Sequence, residues 1–390
     1  MTVATTQAPS IAVPMLDVSR ENHRLRDELD AAIAEVCDTG AFVHGPACAK
    51  FEAAVAKYCG SEHAIGCASG SDALLLALAV LGVGPGDEVI VPSFTFFATA
   101  SAVWRLGARP VFADIVPETF NLDPADVLYK LSTATKAIIP VHLFGQCAQL
   151  DEIRQIATAA RGIPIIEDAC QAIGAEYHGQ RAGSLGTMGT FSFYPTKNLG
   201  GFGDGGLITT DDVDLAAKLR VLRDHGQQPR YYHHFVGVNS RLDALQAAVL
   251  SVKLPHVDDW AEQREAHAAR YAAEFAERGL EDFIVAPTTV EGCFHVWNQY
   301  TIRVADGRRD ALHKHLSERK IGSAIYYPVP LHLQKCFAAL GYEAGSLPET
   351  EQACREVLSL PVYPELTSAE QGAVIDAIES FCKAKARAVA

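Results

Sequence analysis

A lysine in a glycine-rich turn is the residue of this 390-residue chain best placed for covalent chemistry. Lys197 stands in the run GTFSFYPTKNLGGFGDGG (189–206), where a predicted strand over 190–194 stops at Pro195. Glycines let the backbone fold closely around whatever the lysine holds. A lysine amine that is desolvated beside a bound ring can form a Schiff base with a carbonyl group. The pattern indicates carbonyl chemistry, provided that other segments complete the site.

Two segments offer groups for a phosphate. Gly70 and Ser71 follow a short apolar strand and precede a predicted helix over 72–81, so a hydroxyl and the free N–H of Asp72 would meet at a helix N-terminus. An ordinary helix cap explains the same residues and is the favoured interpretation when this loop is taken alone. Ser192, on the strand that leads to Lys197, could add a second hydroxyl.

Three side chains could hold a flat, charged ring. Asp168 ends the apolar run IPIIED (163–168), and a carboxylate in such a place needs a positive partner. A protonated pyridine nitrogen would be such a partner, and the pairing would keep the ring able to draw electrons. Gln171 could reach a ring substituent, and Phe96, in PSFTFFATA (92–100), could cover one ring face. Phe96 could equally belong to the core.

The elements that must position these residues alternate between short apolar strands and amphipathic helices. Strands are predicted over 64–67, 88–92, 109–115, 136–141 and 163–168, and helices over 72–81, 95–106, 124–131 and 150–160. This alternation predicts an α/β fold with a mostly parallel sheet covered on both faces. Ligands bind such sheets beyond the carboxyl ends of the strands, which is where the residues above fall.

The remaining chain predicts three parts. Residues 1–20 form an N-terminal arm, 21–255 a large α/β domain and 256–390 a smaller C-terminal α+β domain, with Pro255 marking the boundary inside a helical region over 242–278. The other predicted helices cover 21–39, 48–59, 213–225, 310–319, 349–358 and 368–386. The other predicted strands cover 299–304 and 323–326.

Composition excludes several classes of protein. The net charge of −14 argues against nucleic-acid binding, and no apolar window is long enough to span a bilayer. The ten cysteines are scattered, without the spacing of a disulfide framework, and no signal peptide is recognisable. A cytoplasmic location is therefore expected.

His233 and His234 are adjacent and would point to opposite faces of a strand, so no metal site is expected.

These segments, in this order, resemble the DegT/DnrJ/EryC1/StrS family of nucleotide-sugar aminotransferases, which are fold-type I pyridoxal 5'-phosphate enzymes. The resemblance covers nearly the whole chain. It is carried by GPACAKFE (45–52), SGSDALLLAL, PSFTFFATA, DACQAIGA, FSFYPTKNLG, GDGG, NSRLDALQAAVL and YYPVPLHLQ (326–334).

The resemblance implies a role for each site residue. Lys197 would form the Schiff base with the cofactor, Asp168 would pair with the pyridinium nitrogen, Gln171 would lie at the ring's 3-oxygen and Phe96 would stack on the ring. Gly70, Ser71, the Asp72 amide and Ser192 would hold the phosphate. Asn239 would come from the neighbouring subunit, which implies a homodimer with shared active sites.

The resemblance also implies L-glutamate as amino donor and a nucleotide-linked keto sugar as acceptor, for polysaccharide or glycoside biosynthesis. Gln171 favours a 3-keto sugar, either a UDP-3-keto-glucuronic acid derivative or a dTDP-3-keto-6-deoxyhexose. A 4-keto sugar or a cyclitol is the alternative within the family. The residues expected to bind substrate are Arg241, His332, Arg230 and Tyr327.

Two other kinds of protein share this scaffold. Family members that eliminate or dehydrate carry histidine at the lysine position, so Lys197 argues against that chemistry. A non-catalytic, cofactor-binding regulatory protein is the alternative of another class. It would be expected to have lost catalytic residues or gained a DNA-binding segment, and neither feature is visible in the sequence.

Overall fold

The computed structural model describes residues 11–389, with side chains up to residue 383. Residues 1–10 of the predicted arm lie outside this range. Within the rest of that arm, Val13 forms a parallel bridge with Ile321, and the first helix begins at Val18. The N-terminal segment is therefore anchored on the C-terminal part of the chain.

The helices are α1 (Val18–Arg24), α2 (Arg26–Thr39), α3 (Pro46–Cys59), α4 (Gly70–Val80), α5 (Ala98–Arg105), α6 (Pro124–Lys130), α7 (Leu150–Ala159), α8 (Val213–Leu222), α9 (Ala244–Lys253), α10 (Val257–Glu277), α11 (Arg309–Glu318), α12 (Pro348–Glu356) and α13 (Ser368–Val389). The strands are β1 (His63–Cys67), β2 (Glu88–Pro92), β3 (Arg109–Ala113), β4 (Thr135–Ile138), β5 (Ile166–Asp168), β6 (Glu176–Tyr177), β7 (Gln180–Arg181), β8 (Met188–Ser192), β9 (Gly206–Thr210), β10 (Ile284–Val285), β11 (Cys293–Phe294), β12 (Tyr300–Val304) and β13 (Val357–Leu360).

The central sheet has the order β1-β9-β8-β5 on one side and β4-β2-β3 on the other. Parallel bridges between Ile138 and Ile165 and between Val141 and Asp168 join the two halves. The pairs β2–β3, β2–β4 and β5–β8 are parallel, while β9 runs antiparallel to both β1 and β8. The predicted α/β fold with a mostly parallel sheet is confirmed.

Alternating side chains of the strands fill two apolar layers, one on each face of this sheet. In β2, Ile90 belongs to the layer that contains Phe51, whereas Val89 and Val91 belong to the layer that contains Leu74. Successive strand residues point to opposite faces, so an almost uninterrupted apolar strand is buried on both sides.

Several predictions about secondary structure were wrong or incomplete. The segment 323–326 is not a strand and contributes only a bridge from Ala324 to Ser359. The helix predicted over 349–358 ends at Glu356, and the apolar run that follows becomes β13, paired with β12. Strand β9 was missed, and the helix predicted over 21–39 is two helices that meet at Leu25. Periodicity cannot distinguish a short buried strand from a helical turn, which explains the error at β13.

A third apolar cluster fills the C-terminal part around β12, α10 and α13, and it includes Val13. Pro255 lies in a 3₁₀ turn (Leu254–His256) between α9 and α10. The division into domains at residues 255 and 256 stays a prediction. No helix within residues 11–389 combines the length and apolarity needed to cross a membrane.

Candidate active site

A cavity of about 750 Å³ opens at the carboxyl edge of the central sheet. The loops after β1, β2, β5 and β8 form one wall, and the segment from Tyr326 to Leu331 forms the opposite wall. Because β1, β2, β5 and β8 all point the same way, their carboxyl ends meet at this edge. Eight of the predicted site residues line it: Gly70, Ser71, Phe96, Asp168, Gln171, Ser192, Lys197 and Tyr327.

Lys197 lies partly buried in the turn after β8, where its backbone N–H donates to the Tyr194 carbonyl at 2.8 Å. Burial lowers the pKa of the Lys197 amine below its usual value, and the nearby Cys170 and Asp168 oppose part of that effect. A lowered pKa increases the fraction of uncharged amine near neutral pH. Lys197 is thereby suited to nucleophilic attack and to proton transfer.

Asp168, at the end of β5, is held on both of its carboxylate oxygens. Oδ2 accepts a hydrogen bond of 2.7 Å from the Thr99 hydroxyl, and Oδ1 accepts one of 3.3 Å from the Cys170 N–H. The residue is 5% exposed and lines the cavity. A carboxylate so placed can pair with a cationic ring nitrogen.

Gln171 connects the two walls of the cavity. Its Oε1 accepts a hydrogen bond of 2.8 Å from the Phe144 N–H, and its Nε2 donates to the Tyr327 hydroxyl at 3.1 Å. Asn121 fixes the loop that carries Phe144, because its Oδ1 accepts from the Leu143 N–H at 3.0 Å. Gln171 therefore positions the Tyr327 ring, whose centroid lies 6.4 Å from that of Phe96.

Small residues bring the predicted phosphate loop close to β8 and β9. A Cβ atom on Gly70 would lie 2.7 Å from the Ser192 Cβ, and a Cβ atom on Gly206 would lie 2.3 Å from the carbonyl group of Ser69. Helix α4 begins at Gly70, earlier than predicted, with Ser69 as its N-cap. The Asp72 amide donates to the Ser69 hydroxyl at 3.1 Å, so this amide is already engaged in the cap.

Three other predicted residues lie outside the cavity wall of this chain. Asn239 is exposed and bridges to Asp224 through the backbone. Arg241 forms an ion pair of 2.8 Å with Asp224, and the guanidinium of Arg230 lies 4.8 Å from the ring centroid of Tyr231. None of the three lines the cavity that contains Lys197 of the same chain.

His332 also lies outside the wall. Its ring is 2.7 Å from the Ser93 hydroxyl and 3.3 Å from a Glu351 carboxylate oxygen, and the side chain is buried. Leu331 donates its N–H to the Ser93 carbonyl at 3.0 Å. In this chain His332 anchors the segment from Tyr326 to Leu331 on the end of β2.

A buried ionisable pair behind Asp168 was missed in the sequence. Glu167 and His142 are both fully buried, with Glu167 Oε2 at 2.9 Å from His142 Nε2. His142 Nδ1 accepts from the Ala148 N–H at 3.1 Å, so Nε2 carries the proton and donates it to Glu167. Alternation along β5 is the signal that could have revealed this, because Glu167 must point away from the cavity that Asp168 faces.

The cavity wall has further polar side chains that were not predicted as site residues: Thr95, Tyr194, Thr196, Asp204, Gln299, Tyr326 and Gln334. Several of them lie within the segments that carried the sequence motifs. No pattern of spacing distinguishes those that face the cavity, because that depends on how the loops fold.

A family model described as the DegT/DnrJ/EryC1/StrS aminotransferase family matches residues 23–379. A pleiotropic regulatory protein of Geobacillus stearothermophilus is 52% identical over 95% of this chain and 98% of its own length. The dTDP-3-amino-3,4,6-trideoxy-alpha-D-glucose transaminase of Streptomyces venezuelae is 45% identical over 97% of this chain and 98% of its own. The UDP-2-acetamido-2-deoxy-3-oxo-D-glucuronate aminotransferase of Pseudomonas aeruginosa is 42% identical over 92% and 97%, respectively.

Solved structures match over the same extent. The crystal structure of S. venezuelae DesV in complex with a ketimine intermediate has a TM-score of 0.91 and 46% identity, covering 95% of this chain and 98% of DesV. NtdA from Bacillus subtilis, with bound cofactor PMP, has a TM-score of 0.90 and 34% identity, covering 97% of this chain and 86% of NtdA.

Proposed function

This chain belongs to the DegT/DnrJ/EryC1/StrS aminotransferase family, and we propose that it transfers an amino group from L-glutamate to a nucleotide-linked 3-keto sugar. The observation that carries the proposal is that Lys197, Asp168 and Gln171 line one cavity. The predicted family, α/β fold, sugar-aminotransferase class and pyridoxal phosphate cofactor are confirmed.

The residues of the cavity fit pyridoxal phosphate. The cofactor has an aldehyde, a basic ring nitrogen, a ring hydroxyl and a phosphate, and the cavity offers an amine, a carboxylate, an amide and several hydroxyls. Gly70 and Gly206 leave no room for side chains where the phosphate loop meets β8 and β9. Ser71 and Ser192 would hold the phosphate, Asp168 the ring nitrogen and Lys197 the aldehyde carbon.

Pyridoxal phosphate, when bound, supplies a ring that withdraws electrons from bonds made at its aldehyde carbon. Lys197 is the residue of this chain that can bond to that carbon and, once displaced by a donor amine, carry a proton as base and then as acid. Burial lowers its pKa, which increases the share of uncharged amine that can act as the base. The Asp168 carboxylate would stabilise the protonated, positively charged form of the ring nitrogen. Gln171 orients the Tyr327 side chain through its hydrogen bond to the Tyr327 hydroxyl.

A 3-keto sugar is the acceptor best supported by the relatives. The names of the S. venezuelae and P. aeruginosa enzymes both place the reacting nitrogen or oxygen on carbon 3 of the sugar. Gln171 lines the cavity, and glutamine at this position is the residue type that the family resemblance associates with 3-keto sugars. A 4-keto sugar or a cyclitol remains the competing acceptor, and direct assay distinguishes them.

We further propose a homodimer with shared active sites. Among the described side chains that line the cavity, Lys197 is the only basic one, whereas glutamate and a nucleotide sugar bring several negative charges. The exposed segment 230–239 carries Arg230 and Asn239 together with apolar side chains such as Phe235 and Val236, which suits a surface that packs against a second subunit. Arg241 lies two residues after this segment, and we propose that it too reaches the active site of the second subunit.

Visible absorbance of the purified protein with pyridoxal phosphate tests the proposal. We expect a yellow band that bleaches with L-glutamate and returns with a 3-keto nucleotide sugar. A matched 4-keto sugar on the same nucleotide is the control for position. A band that ignores every amino donor would exclude the transferase, and no band with added cofactor would exclude the site itself.

A regulatory role is the second candidate, because the G. stearothermophilus relative is named a pleiotropic regulatory protein. A protein that only binds the cofactor needs no amino donor, so it would retain its band in the presence of glutamate. Lys197 and Asp168 are both retained and both line the cavity, which favours turnover.

We also propose a cytoplasmic location. All ten cysteines lie within the described chain and none forms a disulfide, which agrees with a reducing compartment.

A further inference from the structure

Two buried threonine hydroxyls form a chain that ends on Asp168. Thr99, in the first turn of α5, donates to Asp168 Oδ2 at 2.7 Å. Thr95, in the loop after β2, has its hydroxyl oxygen 3.1 Å from that of Thr99. Thr99 is 0% exposed, and Thr95, which lines the cavity, is 2% exposed, so bulk water has little access to either hydroxyl.

The direction of both hydrogen bonds follows from the number of protons. A threonine hydroxyl has one proton, and Thr99 gives its proton to the carboxylate. The Thr99 oxygen must then accept from Thr95, whose own proton is committed in turn. The Thr95 hydroxyl thus fixes the Thr99 hydroxyl, which in turn fixes the Asp168 carboxylate. The carboxylate oxygens of Asp168 still have lone pairs free for a further donor.

We propose that Thr99, supported by Thr95, is a positioning residue that holds the Asp168 carboxylate in the orientation in which it binds the cofactor's ring nitrogen. The inference rests on the proposed function, in which Asp168 pairs with that nitrogen. An aspartate carboxylate otherwise rotates over a broad range. The Thr99 hydroxyl on Oδ2 and the Cys170 N–H on Oδ1 together fix its plane.

The test compares the affinity of the apoprotein for pyridoxal phosphate with its affinity for the analogue in which carbon replaces the ring nitrogen. The dissociation constant of the analogue divided by that of pyridoxal phosphate isolates the contact at the ring nitrogen, and this quotient is the ratio compared below. Thr99→Val keeps the side-chain shape and removes the hydroxyl, and we expect it to reduce the ratio about tenfold, as for loss of one hydrogen bond to a charged group. Thr99→Ser, which keeps the hydroxyl, should retain the ratio of the unaltered protein.

Asp168→Asn separates the two levels of the argument. If Asp168→Asn keeps the original ratio, the proposed role of Asp168 fails. If Asp168→Asn abolishes the preference for the ring nitrogen while Thr99→Val keeps it, the role of Thr99 is refuted and that of Asp168 stands. A loss of affinity in Thr99→Val that is equal for both compounds also refutes the proposal, since that is the effect of a merely structural change.

Thr95→Val gives a second route to the answer, because it removes the supporting hydroxyl without touching Asp168. We expect a smaller decrease in the ratio, about threefold, in line with a neutral hydrogen bond. Should Thr99→Val fail to fold by circular dichroism, an unchanged ratio in Thr95→Val together with an altered ratio in Thr99→Ser overturns the proposal.

Discussion

Replacing Glu167 by glutamine should destabilise the protein strongly, although the change removes no volume. Glu167 is fully buried and its two oxygens accept four hydrogen bonds. Oε1 accepts from the N–H groups of Leu185 at 2.7 Å and Gly186 at 2.6 Å. Oε2 accepts from the Gly183 N–H at 2.8 Å and from His142 Nε2 at 2.9 Å.

A glutamine side chain can satisfy only half of these donors. Whichever oxygen becomes an NH₂ group, two donors then face another donor. A change of tautomer at His142 gives no relief, because its Nδ1 would then carry a proton towards the Ala148 N–H, which now donates to it at 3.1 Å. Two unsatisfied buried donors cost about 1–3 kcal/mol each, so we expect a loss of roughly 2–6 kcal/mol.

The assay is equilibrium unfolding of the apoprotein in urea at fixed protein concentration, compared through the transition midpoints. Glu176→Gln is the matched control, since Glu176 forms a partly exposed ion pair of 3.1 Å with Arg181. Such surface pairs contribute about 0–1 kcal/mol. A Glu167→Gln midpoint as close to the original as that of the control would refute the reasoning about the buried network.

Three further predictions concern the cavity. Because burial lowers the pKa of Lys197, the folded apoprotein binds fewer protons than the unfolded chain between that lowered pKa and about 10.4, so its stability gains from a rise in pH across this window. Lys197→Met should abolish that gain. The check is the melting temperature of both proteins from about pH 7 to about pH 10, and curves that run parallel would contradict the prediction. Gly206→Ala should weaken pyridoxal phosphate binding at least about tenfold, since its Cβ would lie 2.3 Å from the Ser69 carbonyl; Gly84→Ala, with nothing within 4 Å, is the control in the same titration. Asp168→Asn should slow the conversion of the cofactor by L-glutamate at least about tenfold in stopped-flow absorbance, and an unchanged rate would show that the ring nitrogen lies elsewhere.

Much of the site could be predicted because its parts lie in short, informative segments. Lys197 follows a strand and precedes glycines, and Asp168 ends an apolar strand, so both had to lie at the carboxyl edge of the sheet. A helix cap was predicted at Ser71 as one of two alternatives; the structure places the cap at Ser69, and the same loop lines the cavity. Strand β9 escaped prediction because all five of its residues are buried, so it lacks the alternation that marks a half-buried strand.

The sequence by itself determined the fold class, the family and the residue types available to the cavity, since strand alternation, residue type and motif order are local properties of the chain. Only the tertiary structure decided which side chains meet. Thr99 bonds to Asp168 across 69 positions, Gln171 to Tyr327 across 156, and Ser93 to His332 across 239. Such pairs leave no periodic signal, because their contact depends on the packing of separate loops at one sheet edge. For the same reason His332, expected to bind substrate, lies buried as an anchor in this chain, and Asn239 and Arg241 lie outside its own cavity.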